Sequence, residues 1–226
     1  MENLTLVIPA KQEKESLPLV LKEIDNFECN KKIIVSKDDF ETIEEAKKFK
    51  TVEIIFQKKS GVGSAIIEGV ESVQTKYFCI FMADGSTDPK FLQELYNKSV
   101  NDNLDFVFSS RYQKPGGGSD DDTLITYLGN YFFTTLGNVL FSLGISDILY
   151  NYVLGKTKSF SDLQLKSIDH RICVELAIKA KFKNLNFCST PSFERKRFGG
   201  KKKVNAARDG LLILLEIIRL FFKRKI

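Results

Sequence analysis

Four short runs of β-branched and aromatic residues, each cut off by proline or a polar turn and each tied to residues at helical spacing, constrain the fold of this chain more than any other feature. Leu4–Pro9 reads as a strand stopped by proline, and Leu17, Val20, Leu21 and Ile24 recur with the period of a helix over Glu15–Phe27. Lys32–Ser36, with Ile33-Ile34-Val35 at its centre, is a second strand, followed by the polar turn Lys37-Asp38-Asp39 and a charged amphipathic helix from about Thr42 to Lys50. Val52–Phe56 is the third strand. After the turn Ser60-Gly61-Val62-Gly63-Ser64, a helix through Ala65, Ile66, Val70 and Val73 leads to the fourth, Tyr77–Met82. Strands alternating with helices in this way predict an α/β architecture with a mostly parallel central sheet and right-handed crossovers, of the kind that binds nucleotides.

The fourth strand carries the chemistry. Tyr77-Phe78-Cys79-Ile80-Phe81-Met82 runs into Ala83-Asp84-Gly85-Ser86-Thr87-Asp88-Pro89, so Asp84 falls at the carboxyl end of a buried strand. Open α/β sheets bind ligands in the crevice outside those ends, where a carboxylate can hold a metal or a sugar phosphate. The same residues also read as a plain turn, with Asp88 capping the helix that starts at Pro89. Gly61 and Gly63 lack the third glycine and acidic partner of a dinucleotide fingerprint and the Gly-Lys-Ser/Thr of a P-loop. A glycine turn before a helix lets the backbone approach a diphosphate, and it serves equally as a tight turn.

At 226 residues, 43% hydrophobic and 28% charged, the chain can bury one ordinary core. Its +5 formal charge points to an anionic partner where the cations cluster, and they cluster near the C-terminus; no nucleic-acid partner is expected. Cys29, Cys79, Cys173 and Cys188 show no C-x-x-C spacing and read as reduced thiols of a cytoplasmic protein. Met1 leads directly into a strand without a signal-peptide pattern.

In the second half, Leu104–Ser110 is an apolar strand ending in Ser110-Arg111-Tyr112, where the Arg111 guanidinium can meet phosphate with two N–H groups. Pro115-Gly116-Gly117-Gly118-Ser119-Asp120-Asp121-Asp122 reads as a mobile loop able to close over substrate, or as a solvated linker. Tyr127–Leu143 is a helix that is apolar around most of its circumference, and the lone His170 reads as a surface residue. Glu194-Arg195-Lys196-Arg197-Phe198-Gly199-Gly200-Lys201-Lys202-Lys203 gathers cations around a glycine turn. Gly210–Phe222 is almost wholly Leu, Ile and Phe, broken by Glu216 and Arg219. Its 13 residues span about 20 Å, short of the ~30 Å hydrocarbon core, so the stretch predicts an amphipathic helix lying on a membrane surface, docked on the domain or forming a dimer contact.

Val7-Ile8-Pro9-Ala10 with Gln12-Glu13, Ile33-Ile34-Val35 with acidic residues behind it, the Gly61/Gly63 turn, Met82-Ala83-Asp84-Gly85-Ser86 and Ser110-Arg111-Tyr112 follow one another in an order and spacing that resemble the family 2 glycosyltransferases of GT-A fold, most of all the polyprenol-phosphate (dolichol-phosphate) sugar transferases. The resemblance implies a GT-A domain over residues 1–205 and a C-terminal amphipathic helix over 206–226. It implies donor-binding roles for Pro9, Ala10, Glu13, Asp38, Gly61 and Gly63, and catalytic-region roles for Asp84, Arg111 and Asp147. Arg195, Arg197 and Lys201 fall on the acceptor or phosphate segment, and Asp84 on the last acidic residue of the family's D-x-D, a ligand for Mg²⁺ or Mn²⁺. Glu175 falls where members with hydroxyl acceptors keep a base. Met82 replaces the first acidic residue of D-x-D. The implied partners are a nucleotide-sugar donor, a lipid-phosphate or glycan acceptor, and the inner face of a membrane.

Overall fold

The computed structural model describes residues 1–199 and 205–223. In chain order the strands are β1 (Leu4–Ala10), β2 (Asn30–Ser36), β3 (Glu53–Gln57), β4 (Tyr77–Ile80), β5 (Phe106–Ser110), β6 (Gly118–Ser119), β7 (Val153–Lys156), β8 (Phe187–Pro191) and β9 (Phe193–Glu194). The α-helices are α1 (Leu17–Glu23), α2 (Phe40–Lys47), α3 (Val62–Glu71), α4 (Leu92–Asn101), α5 (Leu124–Phe141), α6 (Thr157–Asp162), α7 (Ile172–Phe182) and α8 (Ala206–Lys223).

The seven-stranded sheet has the order β3-β2-β1-β4-β7-β5-β8. Only β7 runs against its neighbours β4 and β5, so the expected mostly parallel sheet is present. Side chains alternate along each strand. Leu6 and Ile8 of β1, Ile33 and Val35 of β2 and Cys79 of β4 enter the core covered by α1, α2 and α4. Val7, Ile34, Phe78 and Ile80 enter the other, covered by α3, α5, α6, α7 and α8. That two-sided burial is why the strands read as continuous apolar runs.

The four described cysteines are free thiols. Strand β4 ends earlier than its apolar run, because the Met82 N–H turns to the Thr87 hydroxyl at 3.2 Å and opens the Asp84 loop. The segment expected to be a mobile loop is instead built in. Gly118–Ser119 pairs with Phe193–Glu194, and the Ser119 hydroxyl donates to Glu194 at 2.6 Å.

Helix α8 places Ile213, Ile217 and Leu220 in the core and leaves Leu211, Leu215, Ile218 and Phe222 exposed. It runs in the same direction as α5, since Gly210 lies against Phe133 and the Phe141 and Phe221 rings are 6.1 Å apart. Among the described residues, no helix is long and apolar enough to cross a membrane.

Candidate active site

Parallel pairing brings the carboxyl ends of β1, β2 and β4 to one edge of the sheet, with the end of β5 across antiparallel β7. A cavity of about 310 Å³ lies outside β4 and β5. Asp84, Arg111, Glu194 and Arg197 form its polar floor, and Ile125, Gly129 and Phe133 of α5 with Gly210 and Ile213 of α8 form an apolar wall.

Asp84 is buried, and both of its carboxylate oxygens are engaged. Oδ1 accepts from the Ser86 N–H at 3.0 Å and its hydroxyl at 2.7 Å, and Oδ2 lies 3.1 Å from Arg197 Nη1. Arg197 also reaches Asp121 through Nε at 3.4 Å. The segment carrying it lies across the Asp84 loop: Arg195 N–H donates to Ser86 O at 2.8 Å and Phe198 N–H to Asp84 O at 2.9 Å. Gly85, at φ +84°, makes this approach feasible, because a Cβ there would stand 2.5 Å from the Phe198 ring.

Arg111 is committed to protein carboxylates rather than offered to phosphate. Its Nε and Nη2 form a two-pronged contact with Asp147 at 2.7 and 3.0 Å, and Nη1 donates to Glu194 at 3.1 Å. Tyr150 covers the guanidinium, with the ring centre 4.7 Å away. Burial alone lowers the Arg111 pKa, but Asp147 and Glu194 reverse that and drive it well above its usual value. Asp147 is fully buried beneath it, so the pair shapes the floor instead of facing a ligand.

The other expected site residues are spread more widely. Pro9 and Ala10 end β1, and Glu13 accepts from the Ser16 hydroxyl while its N–H donates to Thr42. Asp38 is exposed beyond β2; it is the neighbouring Asp39 that caps α2 and accepts from the Gln12 N–H. Gly61 and Gly63 do approach a backbone closely, but it is the chain's own. A Cβ on them would stand 2.1 Å from Ile168 O and 2.2 Å from Ser167 O, and the Ser64 N–H donates to Ile168 O. The diphosphate approach expected there is therefore corrected to a contact with the segment before α7. Arg195 pairs with Glu23 of α1 through both Nη atoms and donates to Thr87 O, outside the cavity. Lys201 lies outside the described residues.

Asp88 accepts from the Lys90 N–H and caps the short 3₁₀ turn Pro89–Phe91, as its turn reading predicts. Glu175 is fully buried away from the cavity, accepting from the Lys166 and Ser167 N–H groups and pairing with Lys179. His170, read as a surface residue, instead lines the cavity half-buried, and burial lowers its pKa against the opposing pull of Asp209 and Asp169. Tyr150 and Glu194 carry little signal in the sequence: Tyr150 stands in no motif, and Glu194 is a single acid at the head of a basic run.

Without the oxygens of a bound donor, the side chains present do not complete a shell for Mg²⁺ or Mn²⁺. Among the described residues no group of three or more His, Cys, Asp or Glu side chains is arranged to hold a metal. Met82 offers a soft thioether where hard ions need oxygen, and an ion at Asp84 would face the Arg197 charge at close range.

A cavity outside the strand ends is where open α/β sheets bind ligands, and a mostly parallel sheet with one antiparallel strand inserted matches the GT-A class of transferase fold. Residues 5–164 match the model described as Glycosyl transferase family 2, and the chain belongs to that family. It is thus a nucleotide-sugar glycosyltransferase.

Solved structures of glucosyl-3-phosphoglycerate synthase from Mycobacterium tuberculosis share the fold. The complex with Mn²⁺, UDP-glucose and phosphoglyceric acid matches with a TM-score of 0.69 at 12% identity, over 96% of this chain and 79% of that one. The complex with Mn²⁺ and UDP-glucose gives 0.68 at 13%, over 98% and 78%. A third complex, with Mn²⁺, UDP and glucosyl-3-phosphoglycerate, also gives 0.68 at 13%, over 98% and 79%. The Mn²⁺ in these neighbours is consistent with a divalent cation on the donor in this fold.

Proposed function

We propose that this glycosyltransferase passes a sugar, with inversion, from a nucleotide-sugar to a polyprenyl phosphate or similar lipid phosphate at the cytoplasmic surface of a membrane. The observation that carries this reading is the apolar wall of the cavity. Ile125 both lines the cavity and is 73% exposed, and the exposed residues Leu124, Leu128, Phe132 and Val139 continue from it along α5. Leu211, Leu215, Ile218 and Phe222 form a second exposed stripe on α8, which also bears Arg208, Arg219 and Lys223. Apolar stripes flanked by cations suit an interface with anionic headgroups. An isoprenoid chain could follow the α5 wall while its phosphate reached the floor.

A phosphate acceptor is already an anion near neutral pH. Its oxygen attacks the anomeric carbon as the bond to the donor diphosphate breaks, and the electron pair leaves with the nucleoside diphosphate. A sugar hydroxyl needs a base to take its proton, and Glu175, the residue expected to serve, is locked in the fold away from the cavity. The test is to incubate the full chain with labelled nucleotide-sugars and polyprenyl phosphate in mixed micelles. Label extracting into organic solvent, stable to phosphatase and released by mild acid, is the expected result. Label confined to water-soluble glycan sinks the lipid reading.

A further inference from the structure

Arg111 and Arg197 are the two arginines on the floor of the cavity, and their surroundings differ in a way that assigns them different work. The Arg111 side chain is 8% exposed and held at 2.7, 3.0 and 3.1 Å by Asp147 and Glu194. The Arg197 side chain is 22% exposed and makes longer pairs, at 3.1 Å to Asp84 and 3.4 Å to Asp121. A guanidinium carries five N–H donors in a rigid fork, and these two pairs use Nε and Nη1 of Arg197. Its charge lies at Asp84 in the loop after β4, two residues beyond Met82, the place where a divalent ion on a donor diphosphate would draw on hard oxygen ligands.

We propose that Arg197 takes the place of the divalent metal in this chain: its guanidinium, seated on Asp84 and Asp121, binds the donor diphosphate directly, and that binding is metal-independent. This rests on the nucleotide-sugar reading above and adds how the diphosphate is held. Asp84 then acts as a positioning residue that aims the guanidinium, and Met82 is tolerated because no metal shell has to be completed. Two carboxylates offset the guanidinium in the free protein, so the diphosphate must outbid them. The pair lengths and partial exposure favour exchange at Arg197, whereas Arg111 stays fixed.

The test is calorimetric titration of the full chain with a panel of nucleoside diphosphates (UDP, GDP, CDP, ADP and dTDP), in EDTA and then with added MnCl₂, together with electron paramagnetic resonance of Mn²⁺ mixed with the protein alone. The expected result is that one diphosphate binds in EDTA with an affinity that MnCl₂ leaves within about twofold, and that Arg197→Gln weakens this binding about tenfold or more. Arg197→Lys, which keeps the charge but loses the fork, should fall between. The protein alone should leave the free Mn²⁺ signal undiminished. A rise of about tenfold or more on adding MnCl₂, or an Arg197→Gln variant that folds normally by circular dichroism and binds like the parent, overturns the proposal. If no diphosphate binds under either condition, the nucleotide-sugar reading fails and this inference goes with it.

Discussion

Replacing Arg111 by lysine keeps the charge and removes the planar fork, so Asp147 and Glu194 are left with one flexible ammonium between them in a buried floor. Losing a hydrogen bond to a buried charged group typically costs about 1.5–3 kcal/mol. Urea denaturation of Arg111→Lys should therefore show a loss of that order with an unchanged m-value. A loss near zero would mean that water already shares the floor. The corresponding change at Arg197 should be nearly silent in the same measurement, because its side chain is partly exposed and its pairs are longer. Sequence could place an arginine at the end of an apolar strand. It could not show that its fork was already taken, because the partners lie 36 and 83 residues away. The same limit applies to Arg195 and Arg197. They lie in one basic run, but the chain turns over Gly85 between them, sending the first to Glu23 on α1 and the second into the cavity.

Helices α5 and α8 lend themselves to a membrane experiment, since their buried and exposed stripes are separable. Exchanging Leu211, Leu215, Ile218 and Phe222 for serine leaves Ile213, Ile217 and Leu220 in the core. Co-flotation with vesicles containing anionic lipid should be lost while the circular dichroism spectrum and melting temperature stay close to those of the parent. Flotation that survives the exchange would remove α8 from the proposed membrane contact. The first four strands were legible as short apolar runs bounded by turn residues, because both their faces are buried, and the two helices as longer apolar stretches. Strands β6, β7 and β9 were not. Two of them are only two residues long, and the third, Val-Leu-Gly-Lys, gains its place by pairing antiparallel between β4 and β5, a long-range choice that no local pattern encodes. The glycine- and aspartate-rich loop was misread for the same reason. Its order comes mainly from Phe193–Glu194 and Arg197, far along the chain, with the nearby Tyr112 reaching across to Asp122.

Taken as a whole, the molecule should lose stability in two stages as it is acidified. His170 has a folded-state pKa lowered from 6.5, chiefly by burial. The unfolded chain therefore takes up the proton first, and the stability His170 contributes is present above about pH 6.5 and lost as pH falls through its lower folded value. Burial pushes Glu175 upward, but Lys179 and the groups of Ser167 and Lys166 outweigh it and hold the carboxyl below 4.5. Its contribution is likewise present above that value and lost at lower pH. Thermal unfolding followed across this range should show the upper stage flattened in His170→Gln and the lower stage retained. An unchanged profile would contradict the burial of His170. The overall architecture and the family were readable because they rest on repeated local patterns, whereas the contents of the cavity depend on which distant segments meet.

The cage around Arg111 has a mechanical consequence. One cation ties together segments at residues 111, 147 and 194, and the last of these is also stitched to Ser119. Such a floor has no seam along which to give way piecemeal. On the proposed reading it is a stiff anvil beneath the sugar, and the adjustment needed to admit and release reactants would fall to the Arg197–Phe198 strap laid over Gly85.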